Sequence, residues 1–338
     1  MYKITQMASE LHSEQPLVLV TGALGFIGSC LALELQRSGN YSVAICDNLA
    51  AVHKLPNLDA VQFAKTIDRK DLLNELASGA LPELKAIIHI GARTDTTEFN
   101  KAIFDELNVA YSKSLWEICT ERNIPFIYAS SAATYGDGEL GYKDDHELIP
   151  SLKPLNPYGD SKNEFDKWVL QQTACPPNWY GLKFFNVYGP NEYHKARMAS
   201  VIFHAYHQFK NSGKVKLFRS HKSGFDDGKQ LRDFIYVKDV INVITWLMET
   251  LPQSGIYNLG TDQARTFYDL AASTAASMQI PLAIEWIDIP EDIRDKYQYY
   301  TEADMDKLKA AGYKKPFHTL EEGIYDYVRN YLLPGNYY

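Results

Sequence analysis

The sequence predicts an α/β chain built on a doubly wound parallel sheet, with a smaller interleaved α/β substrate-binding lobe. Three observations point there. A short apolar run ends in a glycine-rich turn and an apolar helix, further strand runs alternate with helical stretches, and 338 residues can bury a core of that size.

Composition narrows the partners. Hydrophobic residues make up 46% of the chain, the formal net charge is -8, and Lys and Arg are scattered instead of forming a stripe. No nucleic acid is expected as a partner, and any anionic ligand must be held locally. Cys30, Cys46, Cys119 and Cys175 show neither metal-ligand spacing nor a disulfide framework. That pattern suggests a reducing, cytoplasmic setting without a metal site. No apolar run approaches the length of a membrane span, so no membrane partner is expected. Residues 1–16 are mixed and polar, lack a signal-peptide core, and read as a disordered tail.

The first strand is read at Leu17-Val-Leu-Val20, followed by Thr21-Gly-Ala-Leu-Gly-Phe-Ile-Gly28 and a helix from Ser29 to Ser38. In such a Rossmann-type turn Gly22 permits the tight bend, Gly25 lets backbone approach a pyrophosphate, and Gly28 allows close helix packing. A second strand, Ser42-Val-Ala-Ile-Cys46, ends in Asp47, about twenty residues on, where a ribose-binding acid is expected. Asp47 alone favours a free ribose hydroxyl, whereas nearby cations favour a 2′-phosphate. Lys54 and Arg69 are candidates for that role or solvated surface charges.

Further strands are read at Ala86-Ile-Ile-His-Ile90 and Pro125-Phe-Ile-Tyr-Ala129. Each ends in small or polar residues, Gly91-Ala-Arg-Thr and Ser130-Ser-Ala-Ala-Thr-Tyr-Gly136, at the carboxyl edge where ligands bind in open α/β sheets. After Pro157 a helix runs to about Gln172, so Tyr158 and Lys162, at i and i+4, share one face with Phe165 and Val169 continuing the stripe. The Lys162 ammonium would favour the Tyr158 phenolate, and Ser131 could hold the reacting oxygen. In Phe184-Phe-Asn-Val-Tyr-Gly-Pro-Asn-Glu-Tyr-His-Lys195, Lys195 reads either as a diphosphate ligand or as a second acid/base.

The glycine turn, the Ser-Ser strand end and Tyr-x-x-x-Lys, in this order, resemble the extended short-chain dehydrogenase/reductase superfamily. Tyr128–Gly136, Pro154–Lys162, Phe185–Pro190 and His194–Ser200 resemble the ADP-glyceromanno-heptose 6-epimerases more closely. So do Lys216–Phe218, Arg232–Val237, Gly255–Gly260 and Ala310–Pro316, so the likeness runs from Leu17 to about Tyr331.

That resemblance implies an isomerase that inverts C6 of the heptose in ADP-D-glycero-β-D-manno-heptose, a step toward lipopolysaccharide core assembly, with NADP, ahead of NAD, used without net consumption. It implies that Gly22, Gly25, Phe26, Ile27, Gly28, Asp47, Asn48, Lys54, Arg69, Ile90, Gly91, Ala92, Arg93, Thr94, Asn108, Lys162, Val187 and Lys195 surround the cofactor. Asn186, Arg197, His204, Phe218, Arg219, Ser220, His221, Arg232 and Tyr297 then contact the ADP-heptose nucleotide sugar. Arg232 has independent appeal, because a guanidinium grips a diphosphate in bidentate fashion. Tyr158 and Lys195 exchange acid and base roles across a 6-keto intermediate, and a Lys serving this way needs a depressed pKa.

The chain departs from that family's pattern near the substrate. Arg197 stands where a small hydroxyl residue is common, Asn191 and Tyr193 replace an Arg and a Gly, and Lys222–Leu231 is longer than usual and could act as a lid. The lobes are expected over 17–183, with returning segments about 232–260, and over 184–231 with 261–333. The Tyr-rich carboxyl-terminal part reads as a last helix whose aromatics could instead join copies in a homo-oligomer. A UDP-hexose 4-epimerase or a 4,6-dehydratase would share the cofactor site, but a dehydratase wants an acidic pair after the active Ser, where Ala132 and Ala133 stand. A sensor that binds NADP(H) without turnover has no need of the Tyr158 and Lys162 pair, and ranks last.

Overall fold

The computed structural model describes residues 15–58, 61–294 and 297–338. Of the tail expected over 1–16, residues 1–14 lie outside the described residues. Gln15 and Pro16 are tied down: the Pro16 carbonyl accepts from the Ser42 N–H at 3.1 Å, and the Gln15 amide donates to the Gly39 carbonyl at 2.5 Å. Backbone pairing extends the ordered chain beyond the apolar run that marks the strand in sequence.

The first half of the chain folds as β1 (Leu17–Thr21), α1 (Phe26–Ser38), β2 (Ser42–Asp47), β3 (Lys65–Asp68), α2 (Arg69–Ala77), β4 (Leu84–His89), α3 (Lys101–Phe104), α4 (Tyr111–Glu121), β5 (Phe126–Ser131) and α5 (Pro157–Leu170). It continues as β6 (Trp179–Phe184), β7 (Asn186–Tyr188), α6 (Val201–Ser212), β8 (Val215–Phe218), β9 (Leu231–Tyr236), α7 (Val237–Thr250) and β10 (Gly255–Leu259). The last elements are β11 (Ala264–Thr266), α8 (Phe267–Met278), β12 (Ile284–Ile287), α9 (Glu291–Arg294), α10 (Asp306–Ala310) and α11 (Leu320–Tyr327).

Seven strands form one parallel sheet in the order β3-β2-β1-β4-β5-β6-β10. The order reverses between β1 and β4, and in doubly wound sheets the ligand crevice opens at the carboxyl ends on either side of that reversal. Both faces of the central strands are covered. Val18, Val20 and Ile88 enter one core cluster while Leu19, Ala44 and Ile87 enter the other. This explains why these strands read as unbroken apolar runs instead of alternating ones.

The segment expected to return over 232–260 divides in the structure. β9 pairs with β7 in parallel and β11 in antiparallel fashion as a separate three-stranded sheet. Only from α7 onward does the chain rejoin the large sheet, α7 packing on α1 and β10 lying beside β6. Strand length and an apolar content do not tell these destinations apart, because both strands are buried over nearly their whole length. β8 and β12 pair in parallel, with α6 and α8 against them. Thr266 starts α8 with a reciprocal capping box to Asp269. Among the described residues no helix is long and apolar enough to cross a membrane.

A buried ion pair lashes α5 to the sheet. The Lys183 ammonium on β6 donates to the Asp166 carboxylate on α5 at 2.8 Å, and neither side chain is exposed. The hydroxyls of Tyr128 and Ser130 on β5 donate to the same carboxylate at 3.0 and 2.7 Å, and Lys183 also donates to the Thr134 hydroxyl at 2.7 Å. Removing one charge strands the other without water. Asp166→Asn is therefore expected to lower unfolding stability by about 3–5 kcal/mol in a denaturant titration, and a loss under 1 kcal/mol would contradict this account.

Candidate active site

The loops at the carboxyl ends of β1, β2, β4, β5 and β6 enclose a cleft of about 750 Å³ with the turn that follows β7. Its floor begins at the glycine turn. Gly22 has φ +69, and a Cβ there would stand 2.6 Å from the Gly91 backbone, so only glycine lets the β1 and β4 turns meet. α1 starts at Phe26, three residues earlier than the apolar pattern indicates. It has no side-chain cap and no acidic residue in its first turn, which leaves its leading amides available to an anion.

Asp47 and Asn48 line the cleft at the end of β2, with Lys54 and Arg69 near them. The Asp47 carboxylate also supports the floor, accepting from the Leu24 N–H at 2.8 Å and the Asn48 N–H at 2.7 Å. Phe26, Ile27, Gly25, Gly28, the Ile90 to Thr94 turn and Val187 line the same space. Asn108 does not line it. Its side chain accepts from the Arg93 N–H at 2.7 Å and donates to the Arg93 carbonyl at 3.0 Å and the Ser161 hydroxyl at 2.9 Å. It sits in the π-helical turn Asp105–Ala110 between α3 and α4, and shapes the β4 turn from behind.

One face of the cleft is built from α5 and β5. Asn156 caps α5 by accepting from the Gly159 N–H, with Pro157 at the first helical position. A Cβ at Gly159 would stand 2.8 Å from the Ala133 carbonyl oxygen, so glycine allows the start of α5 to press against the turn after Ser131. Ser131, Tyr158 and Lys162 are thereby brought into one cleft. The Lys162 ammonium donates to the Ala129 carbonyl at 2.7 Å. Burial drives its pKa down to about 8 against the opposing pull of Asp166. Burial also pushes the Tyr158 phenol up, and the Ser131 hydroxyl beside it pulls it back.

Lys195 lines the cleft from the segment that follows β7. It lies in the tight turn Tyr193–Met198, where Ala196 adopts φ 46 and ψ -125, a conformation costing about 1–3 kcal/mol for a residue with a Cβ. The Lys195 N–H donates to the Glu192 carbonyl at 3.0 Å, and its ammonium stands 5.9 Å from the centre of the Phe26 ring. Burial lowers its pKa; Glu192 raises it and Lys54 lowers it further. Next to it, neutral His194 has a pKa held down to about 4 by burial and by Lys54 and Lys195, and its Nδ1 accepts from the Asn57 amide at 3.1 Å. Reasoning from sequence missed Glu192, although a lone acid inside an aromatic stretch is a usable signal.

Asn186 lines the cleft, while the other residues expected at the sugar nucleotide do not. Arg197 is 65% exposed at its side chain, pairs with Asp95 at 3.1 Å and hydrogen-bonds Thr97, so it bridges two loops at the cleft edge. His204, on α6, faces the Arg197 carbonyl at 3.4 Å. Arg232 is 9% exposed, lies 5.4 Å from the Tyr297 ring centre and 5.5 Å from that of Phe267, and donates to the Leu231 and Gln298 carbonyls at 2.8 and 2.5 Å. Among the described residues it has no carboxylate partner, which is unusual for a buried cation.

Phe218 packs edge-on against Tyr297. Arg219 and His221 face Asp288 at 3.9 and 3.5 Å, and the Ser220 N–H donates to the Asp227 carboxylate of the long loop at 2.8 Å. The 222–231 loop folds onto Tyr299, with Phe225 at 5.1 Å between ring centres. Gln298 hydrogen-bonds the Gly136 carbonyl, which joins this outer cluster to the turn after Ser131.

The chain is similar to known proteins. The NAD dependent epimerase/dehydratase family model matches residues 18–260. An ADP-L-glycero-D-manno-heptose-6-epimerase of Fusobacterium nucleatum is 47% identical over 331 residues, covering 95% of this chain and 100% of the relative. One from Nitratidesulfovibrio vulgaris is 45% identical over 315 residues, covering 93% and 97%. The crystal structure of the Helicobacter pylori ADP-L-glycero-D-manno-heptose-6-epimerase superposes with a TM-score of 0.77 at 28% identity, over 94% of this chain and 96% of that one.

The depressed Lys162 makes a stability prediction. Between about 8 and its ordinary 10.5 the unfolded chain holds the proton and the folded chain does not, so stability rises with pH across that window. Below about 8 both states are protonated and the fold bears the full cost of the buried cation. Lys162→Met is thus expected to be more stable than the parent at pH 7, by about 3 kcal/mol, with the gap closing as pH rises through the window. A gap that stays constant in pH-dependent denaturant titrations would contradict it.

Proposed function

Because the chain belongs to the NAD dependent epimerase/dehydratase family, we propose that its cleft inverts C6 of the heptose in ADP-D-glycero-β-D-manno-heptose, giving the L-glycero epimer, a precursor of the lipopolysaccharide core. The observation that carries this reading is the placement of Tyr158 and Lys195 in one cleft, on walls built from separate elements. An acid/base on each face is what inversion needs and simple dehydrogenation does not.

A nicotinamide dinucleotide fits the floor of the cleft: glycine where a Cβ would collide, helix amides without a cap, and a carboxylate at the end of β2. When bound, it supplies an acceptor for the C6 hydride and gives that hydride back. NADP is the favoured form, because Lys54 and Arg69 bring two positive charges to the end of the cleft where Asp47 and Asn48 stand. Lys162 supplies the charge that favours the Tyr158 phenolate and a donor for the nicotinamide ribose.

One of the two bases takes the C6 hydroxyl proton as hydride leaves, and Ser131 hydrogen-bonds the reacting oxygen. The resulting ketone turns within the cleft. The other base then protonates the oxygen once hydride returns to the opposite face, so Tyr158 and Lys195 exchange roles between the two epimers. Lowering of the Lys195 pKa by burial suits this role, since a fully protonated ammonium cannot accept a proton. Arg232, a buried cation with no carboxylate partner among the described residues, is assigned to the diphosphate, with Phe218 to His221 and Tyr297 around it and Asn186, Arg197 and His204 toward the sugar. A dehydratase reading fails to gain support, since Ala132 and Ala133 follow Ser131.

The pure protein should interconvert the two C6 epimers of the ADP-heptose, as separated chromatographically. Tyr158→Phe and Lys195→Met should each reduce this by about 10²- to 10⁴-fold while the cofactor stays bound. A Lys195→Met enzyme that merely binds substrate more weakly would end the two-base account. For the cofactor, Lys54→Met with Arg69→Met should weaken NADP relative to NAD by about tenfold or more, read as the ratio of dissociation constants.

A further inference from the structure

Lys195 sits on a strained turn, so something must hold that turn in place. The residues leading into it are anchored one by one. Glu192 is fully buried and accepts from the Ser200 N–H and hydroxyl at 2.5 and 2.6 Å and from the Tyr327 hydroxyl at 2.9 Å. Asn191 and Tyr193 are anchored differently, to the segment Pro334–Tyr338.

The Asn191 side chain accepts from the Tyr338 N–H at 2.8 Å and donates to the Ser29 hydroxyl at 2.9 Å and the Asn57 carbonyl at 3.2 Å. Asn57 in turn hydrogen-bonds His194. The Tyr193 hydroxyl lies within donating distance of the Asn336 carbonyl at 3.0 Å and the Tyr331 carbonyl at 3.2 Å, and its ring is 5.0 Å from that of Tyr337. Tyr338 is itself pinned to α1: its hydroxyl donates to Glu34 at 2.9 Å, its carbonyl oxygen accepts from Arg37 at 3.0 Å, and its ring stacks on Tyr331 at 6.2 Å and 4°.

Asn191 and Tyr193 are therefore the residues of this stretch that grip the 334–338 segment. We propose that this segment is a strap that positions Lys195 for its acid/base role, with Tyr338, Asn191 and Tyr193 as positioning residues. The inference rests on the reading of Lys195 as the second acid/base. The strap holds the turn against α1, and α1 begins at Phe26, whose ring faces the Lys195 ammonium. The groups that set the charge environment of that ammonium are Glu192 and His194 on its own segment and Lys54 across the cleft. Loosening the turn would hydrate Lys195 and carry its pKa back toward the ordinary lysine value.

The test uses three variants of the full protein with bound cofactor: one shortened to end at Leu333, Tyr338→Ala, and Lys195→Met. The shortened enzyme and Tyr338→Ala are expected to lose about tenfold or more in kcat with little change in KM. They should keep their cofactor and shift the Lys195 limb of the kcat/KM pH profile upward, leaving the Tyr158 and Lys162 limb in place. If the shortened chain does not fold, Tyr338→Ala decides. A folded strap variant with parental kcat and an unmoved pH profile overturns the strap, as does one that loses rate on both limbs alike. If Lys195→Met is itself active, the two-base reading falls and the strap falls with it. An inactive Lys195→Met beside unaffected strap variants overturns the strap alone.

Discussion

A carboxylate without access to water, Asp166, decides where α5 lies on the sheet. It accepts two hydroxyls from β5 and the Lys183 ammonium from β6, and all of these groups are deeply buried. Such a cluster tolerates little displacement, because each donor moved away leaves a charge or hydroxyl unsatisfied in a low-dielectric interior. Asp166 is one helical turn beyond Lys162, which is one turn beyond Tyr158. The contact that anchors the helix therefore also fixes the axial and rotational setting of Tyr158 and Lys162, and Ser131 stands at the end of the strand to which the helix is tied.

The two walls of the cleft are built on different physical terms. Tyr158, Lys162 and Ser131 stand on a capped helix and a central strand, so local sequence and the sheet determine them together. Lys195 stands on a short turn with a backbone strain at Ala196, and its position depends on contacts made far away in sequence, from Asn57, Tyr327 and the 334–338 segment.

The cluster around Arg232 reaches the turn after Ser131. Tyr297 stands beside the buried Arg232 guanidinium, Phe218 packs on Tyr297, and Gln298 joins them to the turn following Ser131. Arg197 and His204 lie at the rim, where Arg197 pairs with Asp95 across the edge of the cleft. The departure of Arg197 from the family pattern thus falls on a contact between loops at the entrance.

The doubly wound sheet, the glycine turn and the shared face of Tyr158 and Lys162 were legible in the sequence, because short-range sterics and helical or strand periodicity produce them. The 3.6-residue repeat puts Tyr158 beside Lys162 whatever surrounds them, and only glycine fits the turn between β1 and β4. Other features had no local signature. Asp166 looked like one more polar residue on a helix, Asn108 read as a cofactor ligand when its amide is occupied by the Arg93 main chain, and β9 could not be told from β10 by strand length or apolar content. Asn191 and Tyr193 registered only as departures, since their partners lie more than 130 residues away. Sequence by itself determined the glycine turn and the shared face of Tyr158 and Lys162. Tertiary structure alone decided that Lys195 joins them in one cleft, because burial and long-range packing set both its position and the energy of its charge.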